Sequence, residues 1–463
     1  MQKRNLLIII LFLFTGTIGW SAERIRQNFD FDWQFRLGEQ GIYKPVQLPH
    51  DWSIELDFNE EVGPESGYLP GGIGYYKKDF NVPASYKGKR VSIVFDGIYH
   101  KATIYLNGQE VDYHRYGYTS FETDLTPYLK YGGKNTLSVK VDHSEKSRWY
   151  TGSGIYRHVW MQVTNPIHVK MWGTYITTPR VSAESAIVSC VTTVANTSAL
   201  TGEIEIMQRI VDAQGNLLKI NGKQYAARTE VVMPENGTKD IAQSFTLSNP
   251  QLWNLEKPYL YRLETILKQK GKVIDRYTTR FGVRTIGFDK DKGFFLNGKN
   301  IKMKGACLHQ DAGCLGVAVP NRSYERRLTI LKEFGANAIR CSHNPPSPEF
   351  LNYCDSIGFL VVDEAFDKWK SGYYEQFFDE CWQQDIRDMI VRDRNHPSIV
   401  LWSIGNELAE ATRKDNVGVE RATLLRDFVH KLEPTRPTML ALAPAYQDKF
   451  ASVTDVVGYN YSE

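Results

Sequence analysis

The segment IVLWSIGNEL runs from Ile399 to Leu408. Four apolar residues, Ile399 to Trp402, are followed, after Ser403 and Ile404, by Gly405, Asn406 and Glu407. A buried strand ending in a carboxylate holds that group out on a rigid pedestal. The pattern recurs. IKMKGACLHQD delivers His309 and Asp311, and NAIRCSHN delivers Arg340, Ser342, His343 and Asn344. FLVVDEAFD delivers Asp363, Glu364 and Asp367, and DVVGYNY delivers Tyr459, Asn460 and Tyr461. Paired carboxylates are what cleavage of a glycosidic bond requires, one as acid and one as nucleophile or base. On this reading Glu407 is one carboxylate of such a pair, Asn406 is placed to meet a sugar hydroxyl, and His309, Arg340, His343 and Asp363 are placed to line the sugar site. Each residue alone has a plain structural alternative. A lone histidine is often a satisfied core residue, Arg340 can pair with Asp363 or Glu364 across neighbouring strands, and Trp402 suits a core. Convergence on one rim is what core packing does not require.

The elements that must position this rim alternate in type from about residue 284. Strands read at 301–311, 337–344, 359–367, 399–407, 438–443 and 455–461, separated by helical patterns. Ser323 is expected to cap a helix carrying Leu328, Leu331 and Phe334, stopped by Gly335. Ser347-Pro348-Glu349 opens another that Gly358 ends. A long amphipathic helix is expected from Tyr374 to Arg394. Such alternation implies a parallel sheet of about six strands.

The preceding residues read as β. KRVSIVFDG, KATIYLNGQEV and NTLSVKVD alternate polar and apolar residues, and Asn107-Gly108 marks a hairpin turn. Residues 23–165 therefore form an antiparallel sandwich. Residues 166–283 form a second, immunoglobulin-like one, without the disulfide of antibody domains because only Cys190 falls there.

Composition narrows the function classes. The chain has 463 residues, 42% hydrophobic and 24% charged, near the average for folded proteins. A net charge of +3, with acids and bases intermixed, gives no electrostatic footprint for nucleic acid. Lys3 and Arg4 before the apolar run Leu6–Phe14, then Gly19, Ser21 and Ala22, have the order of a secretory signal at residues 1–22. Export to the periplasm or beyond is expected, with no membrane partner after cleavage. The six cysteines sit mostly inside expected strands and helices, so buried free thiols are expected, and no Cys-x-x-Cys suggests zinc. Oligomeric state is left open.

SGIYR, GACLHQD, NAIRCSHNPPSPEFLNYCDSIGFLVVDEAFD and RDRNHPSIVLWSIGNE together resemble glycoside hydrolase family 2, the β-galactosidase and β-glucuronidase group. The resemblance implies a jelly-roll-like sugar-binding sandwich at 23–165, the immunoglobulin-like sandwich at 166–283 and an incomplete (β/α)8 TIM barrel at 284–463. It assigns the general acid/base of a retaining, exo-acting β-glycosidase to Glu407. It also places His309, Arg340 and His343 in the sugar site and lets Tyr461 support the nucleophile. It implies a carbohydrate substrate with terminal β-D-galactosides favoured, and no cofactor. A β-glucuronidase, or a carbohydrate-binding chain without turnover, is the alternative, with Trp149 and Tyr150 as candidate sugar contacts. The family's nucleophile, a second Glu on a seventh strand, is expected beyond residue 463, and Glu463 itself fits that role poorly. Some relatives bind magnesium through Glu-x-His after the third strand. Here DEAFDKWKSG puts Lys368 and Lys370 there, and no magnesium is expected.

Overall fold

A computed structural model describes residues 23–461 apart from residues 146, 221 and 222. The secretory signal and Glu463 lie outside the described residues. The first sandwich packs a six-stranded sheet against a four-stranded one. Alternation builds it: along Gly133–His143, Leu137, Val139 and Val141 turn inward and meet Ile93, Phe95, Ile104 and Trp33. The second sandwich joins three strands to four, with the Cys190 thiol buried and unpaired in its core. A short antiparallel sheet (Ile286–Asp289, Gly293–Leu296, Lys299–Asn300) follows. Its Phe294 and Leu296 pack against Leu360, Val400 and Met439, sealing the strand starts of the next domain.

That domain is a sheet of six parallel strands in sequential order. They are β1 (Gly305–Leu308), β2 (Ala338–Cys341), β3 (Leu360–Glu364), β4 (Ile399–Asn406), β5 (Thr438–Leu442) and β6 (Val456–Tyr459). The crossovers are α1 (Asn321–Glu333), α2 (Pro348–Ile357), α3 (Phe378–Asp393), α4 (Val417–Leu432) and the short α5 (Asp448–Ala451). This is the incomplete TIM barrel the sequence implied. Ser347 caps α2 by accepting from the Phe350 N–H, and Gly358 ends it at φ +83°. Two boundaries differ from expectation. Helix α1 starts directly after Pro320, so Ser323 lies in its first turn and donates its N–H to the Pro320 carbonyl. Helix α3 starts at Phe378, because Gly372–Gln376 coil into a tighter 3-10 turn and Phe377 leaves helical geometry at φ −133°. All six cysteines are free, but Cys307 and Cys314 are exposed rather than buried. No helix among the described residues is long and apolar enough to cross a membrane.

Candidate active site

Strand alternation decides what faces the barrel lumen. In β3, Leu360 and Val362 pack with Leu401 and Met439 on the lumen side, whereas Val361 joins the core under the helices. Glu364 has the parity of Leu360 and therefore faces the lumen. It is wholly buried and fully engaged. Its Oε2 accepts from Arg340 Nε at 2.8 Å and from Ser403 Oγ at 2.7 Å. His343 Nδ1 lies 2.6 Å from Oε1. With Nδ1 held against that carboxylate, the Nε2 edge of His343 is left for a hydroxyl.

Asp363, expected to line the sugar site, has the opposite parity and faces away from it. It sits wholly buried under the helical layer, in the field of Asp393, Arg392 and Arg157. Burial, then the neighbouring Asp393, pushes its carboxyl well above the ordinary range. It has no route to a sugar.

Arg340 ties two strand ends together. Besides Glu364, its Nη2 donates to Asn406 Oδ1 at 2.9 Å. Asn406 is wholly buried, and its amide bonds to protein on both its oxygen and its nitrogen. Oδ1 also accepts from Asn460 Nδ2 at 2.9 Å, and Nδ2 donates to Asp367 Oδ1 at 2.9 Å. Asn406 thus braces Arg340, Asp367 and Asn460 at the strand ends.

Glu407 follows, with the chain turned to a left-handed φ of +46°. That conformation costs a non-glycine residue about 1–3 kcal/mol and is held by surrounding bonds. Its N–H donates to the Ala441 carbonyl at 2.7 Å, and its Oε1 accepts from Asn460 Nδ2 at 3.0 Å. Burial works against the carboxylate's charge. Bonds from Tyr461 and Asn460, and the charges of Lys368 and Arg148, outweigh burial and hold its pKa below the usual carboxylate value. Tyr461, expected to meet a second carboxylate, here meets Glu407.

Two further walls complete the site. His309 lies with its ring 5.5 Å from His343 and 5.3 Å from Trp149. Burial, then the neighbouring His343, lowers its pKa, so it is neutral at pH 7. Trp149 and Arg148 arrive from the first sandwich. Arg148 Nε pairs with Asp367 at 2.9 Å and its Nη2 stands 3.9 Å from Glu407. A cavity of about 180 Å³ opens here, walled by Tyr99, Tyr116, Tyr118, Trp149, Phe366 and Tyr373. Trp149 is therefore a wall of the site. Tyr150 instead donates its hydroxyl to Asp51 at 2.6 Å, a packing role.

Among the described residues, no group of three or more His, Cys, Asp or Glu is arranged to hold a metal ion. In DEAFDKWKSG, Lys368 Nζ donates to Asp367 at 2.9 Å and to the Asn406 carbonyl at 2.7 Å, while Lys370 pairs with Asp379 on α3. Sequence reading brought His309, Arg340, His343, Glu407 and Tyr461 to one rim, and the structure places them together. The sequence places Asp367 and Asn460 at strand ends without a role, marks Lys368 only as unfit for magnesium, and does not place Arg148 at the rim. The Arg-Trp-Tyr before SGIYR was the available signal for Arg148.

Three family models match in succession: the sugar binding domain of glycosyl hydrolases family 2 at residues 31–166, a second domain of that family at 167–284, and its TIM barrel domain at 289–459. Beta-galactosidase BoGH2A from Bacteroides ovatus is 41% identical, over 95% of this chain and 57% of the relative. A beta-glucuronidase from Bacteroides fragilis is 30% identical, over 93% of this chain and 63% of the relative. A crystal structure of a glycosyl hydrolase family 2 member from Bacteroides cellulosilyticus superposes with a TM-score of 0.89 at 39% identity, covering 94% of this chain and 58% of that one. The chain thus spans little more than half the length of these relatives. From domain order, barrel topology and the residues at the strand ends, the chain belongs to glycoside hydrolase family 2.

Proposed function

We propose that this chain carries the acid/base side of a retaining, exo-acting β-glycosidase that hydrolyses terminal β-D-galactosides. The observation that carries the reading is Glu407 at the end of β4, beside a rim of rings and hydroxyl-binding groups. Glu407 would protonate the departing glycosidic oxygen and then, as a carboxylate, activate water. A general acid needs its proton at working pH, whereas Glu407 is held ionised by its present neighbours. A second carboxylate close by, the nucleophile the mechanism requires, would raise its pKa by like-charge repulsion.

The galactoside reading is supported by the 41% identical Beta-galactosidase BoGH2A relative from Bacteroides ovatus. Among the described residues, Arg340 faces Glu364, while Arg148 and Lys368 both face Asp367. Specificity for β-glucuronides remains the second reading, favoured by the beta-glucuronidase relative from Bacteroides fragilis. We also propose export, on the pattern at residues 1–22.

The test is hydrolysis of aryl β-galactosides, β-glucuronides and β-mannosides by this chain continued through the strand that carries the nucleophile the mechanism requires. Turnover of the galactoside alone is expected, reduced by about 10²–10⁴-fold in Glu407→Gln. The loss should be smallest for nitrophenyl leaving groups, which need little protonation. Preferred turnover of the glucuronide, or a Glu407→Gln variant as active as the parent, overturns the corresponding part of the reading.

A further inference from the structure

Lys368 lies where its charge and its bonds converge on one peptide. Its side chain is 14% exposed, so the ammonium is largely withdrawn from water. Its Nζ donates at 2.7 Å to the carbonyl of Asn406, the peptide immediately preceding Glu407. It donates at 2.9 Å to Asp367, whose carboxylate also receives Asn406 Nδ2 and pairs with Arg148. The Asn406 main-chain N–H closes the loop by donating to the Asp367 carbonyl at 2.9 Å. Both main-chain groups of Asn406 are thus anchored to residues 367 and 368 just before the chain turns to φ +46° at Glu407.

We infer that Lys368 is a positioning residue for Glu407: its ammonium pins the peptide that aims the carboxylate and stands as a fixed positive charge beside it. A withdrawn ammonium that has replaced water by a carbonyl and a carboxylate cannot drift, so the charge reaches Glu407 at constant geometry. The role differs from that of Arg148, which is 51% exposed and 3.9 Å away, and whose charge solvent screens. The groups that face Glu407 are Arg148 from the sandwich, Asp367 and Lys368 after β3, and Asn460 and Tyr461 after β6; the ion pair of Arg340 and Glu364 lies behind Asn406. Of these, Lys368 alone joins a fixed cation to the backbone of the strand end. Because Lys368 favours the carboxylate form, it opposes proton retention in the acid step and favours the base form that activates water.

The inference rests on the acid/base reading of Glu407, but its first test needs no turnover. The carboxyl of Glu407 is titrated by ¹³C NMR in this chain, assigned by its disappearance in Glu407→Gln, and compared with Lys368→Met and Lys368→Arg. The Met variant should raise the Glu407 pKa by about one unit or more, and the Arg variant should keep it near the parent value. In the protein that shows turnover, the basic limb of kcat/KM against pH should move up by the same increment in Lys368→Met and return in Lys368→Arg. Circular dichroism and hydrogen exchange confirm that the variants are folded. A folded Met variant with an unchanged Glu407 titration overturns the inference, as does an Arg variant that shifts as far as the Met variant. A shifted titration without turnover in any form overturns the glycosidase reading and leaves the placement of Lys368 intact.

Discussion

Removing Arg340 should uncover how much of the rim hangs on one ion pair. Glu364 is wholly buried and takes two of its bonds from this guanidinium, at 2.8 and 2.7 Å on Oε2. Arg340→Met keeps much of the aliphatic stem and deletes both. Hydrogen bonds to charged groups contribute about 1.5–3 kcal/mol each, so two set a scale of about 3–6 kcal/mol. Breaking one side of a buried pair usually costs about 3–5 kcal/mol, because the remaining charge is stranded. His343 and Ser403 still hold Glu364, which places the expectation near the lower end, about 3 kcal/mol. Hydrogen exchange of peptides covering β2 to β4 should therefore accelerate by about 10²-fold, while peptides of the two sandwiches stay unchanged. The double variant Arg340→Met/Glu364→Gln, which strands no charge, should recover at least half of the loss. Acceleration below tenfold, or a double variant no better than the single, would refute the reasoning.

Other expectations follow from the same geometry. His158 Nδ1 lies 2.7 Å from Asp30, and although burial lowers its pKa, that bond with Glu349 and Asp96 nearby raises it to about 9. A folded pKa above the unfolded value of about 6.5 gives stability that is complete below pH 6.5 and lost as pH rises through 9. Denaturation midpoints should fall over that window, and His158→Asn should flatten the slope. Trp149→Ala should raise KM by about tenfold, 1.4 kcal/mol, with little change in melting. Tyr150→Phe, which deletes only the bond to Asp51, should instead cost about 1 kcal/mol of stability and leave KM alone. Chelation with EDTA should leave turnover unchanged, since ammonium groups stand at Lys368 and Lys370 where carboxylate or imidazole ligands would be needed.

The strand ends were readable because apolar runs give way abruptly to polar residues, and each break marks where a barrel strand stops. Parity is legible too. In Leu360–Glu364 the alternation assigns Asp363 and Glu364 to opposite faces, and only one can reach the lumen. For Asn406 the pattern gave position but not direction, which depends on Arg340 and Asp367 on neighbouring strands. Arg148 is marked by the Arg-Trp-Tyr before SGIYR in position but not in partner. It meets Asp367 across 219 residues of chain, and only tertiary docking of sandwich on barrel brings them together.

That same separation sets a schedule for biosynthesis. Chains emerge at about 5–20 residues per second and domains fold largely in order of appearance. The sandwich bearing Arg148 and Trp149 is finished first, while Asp367 follows 219 residues later. At those speeds the interval is about 10–45 s. Throughout it, the Arg-Trp-Tyr loop displays a cation and an aromatic ring with nothing to hold them. The pocket that Arg148 and Trp149 wall exists only once the barrel has come back to meet the sandwich made before it.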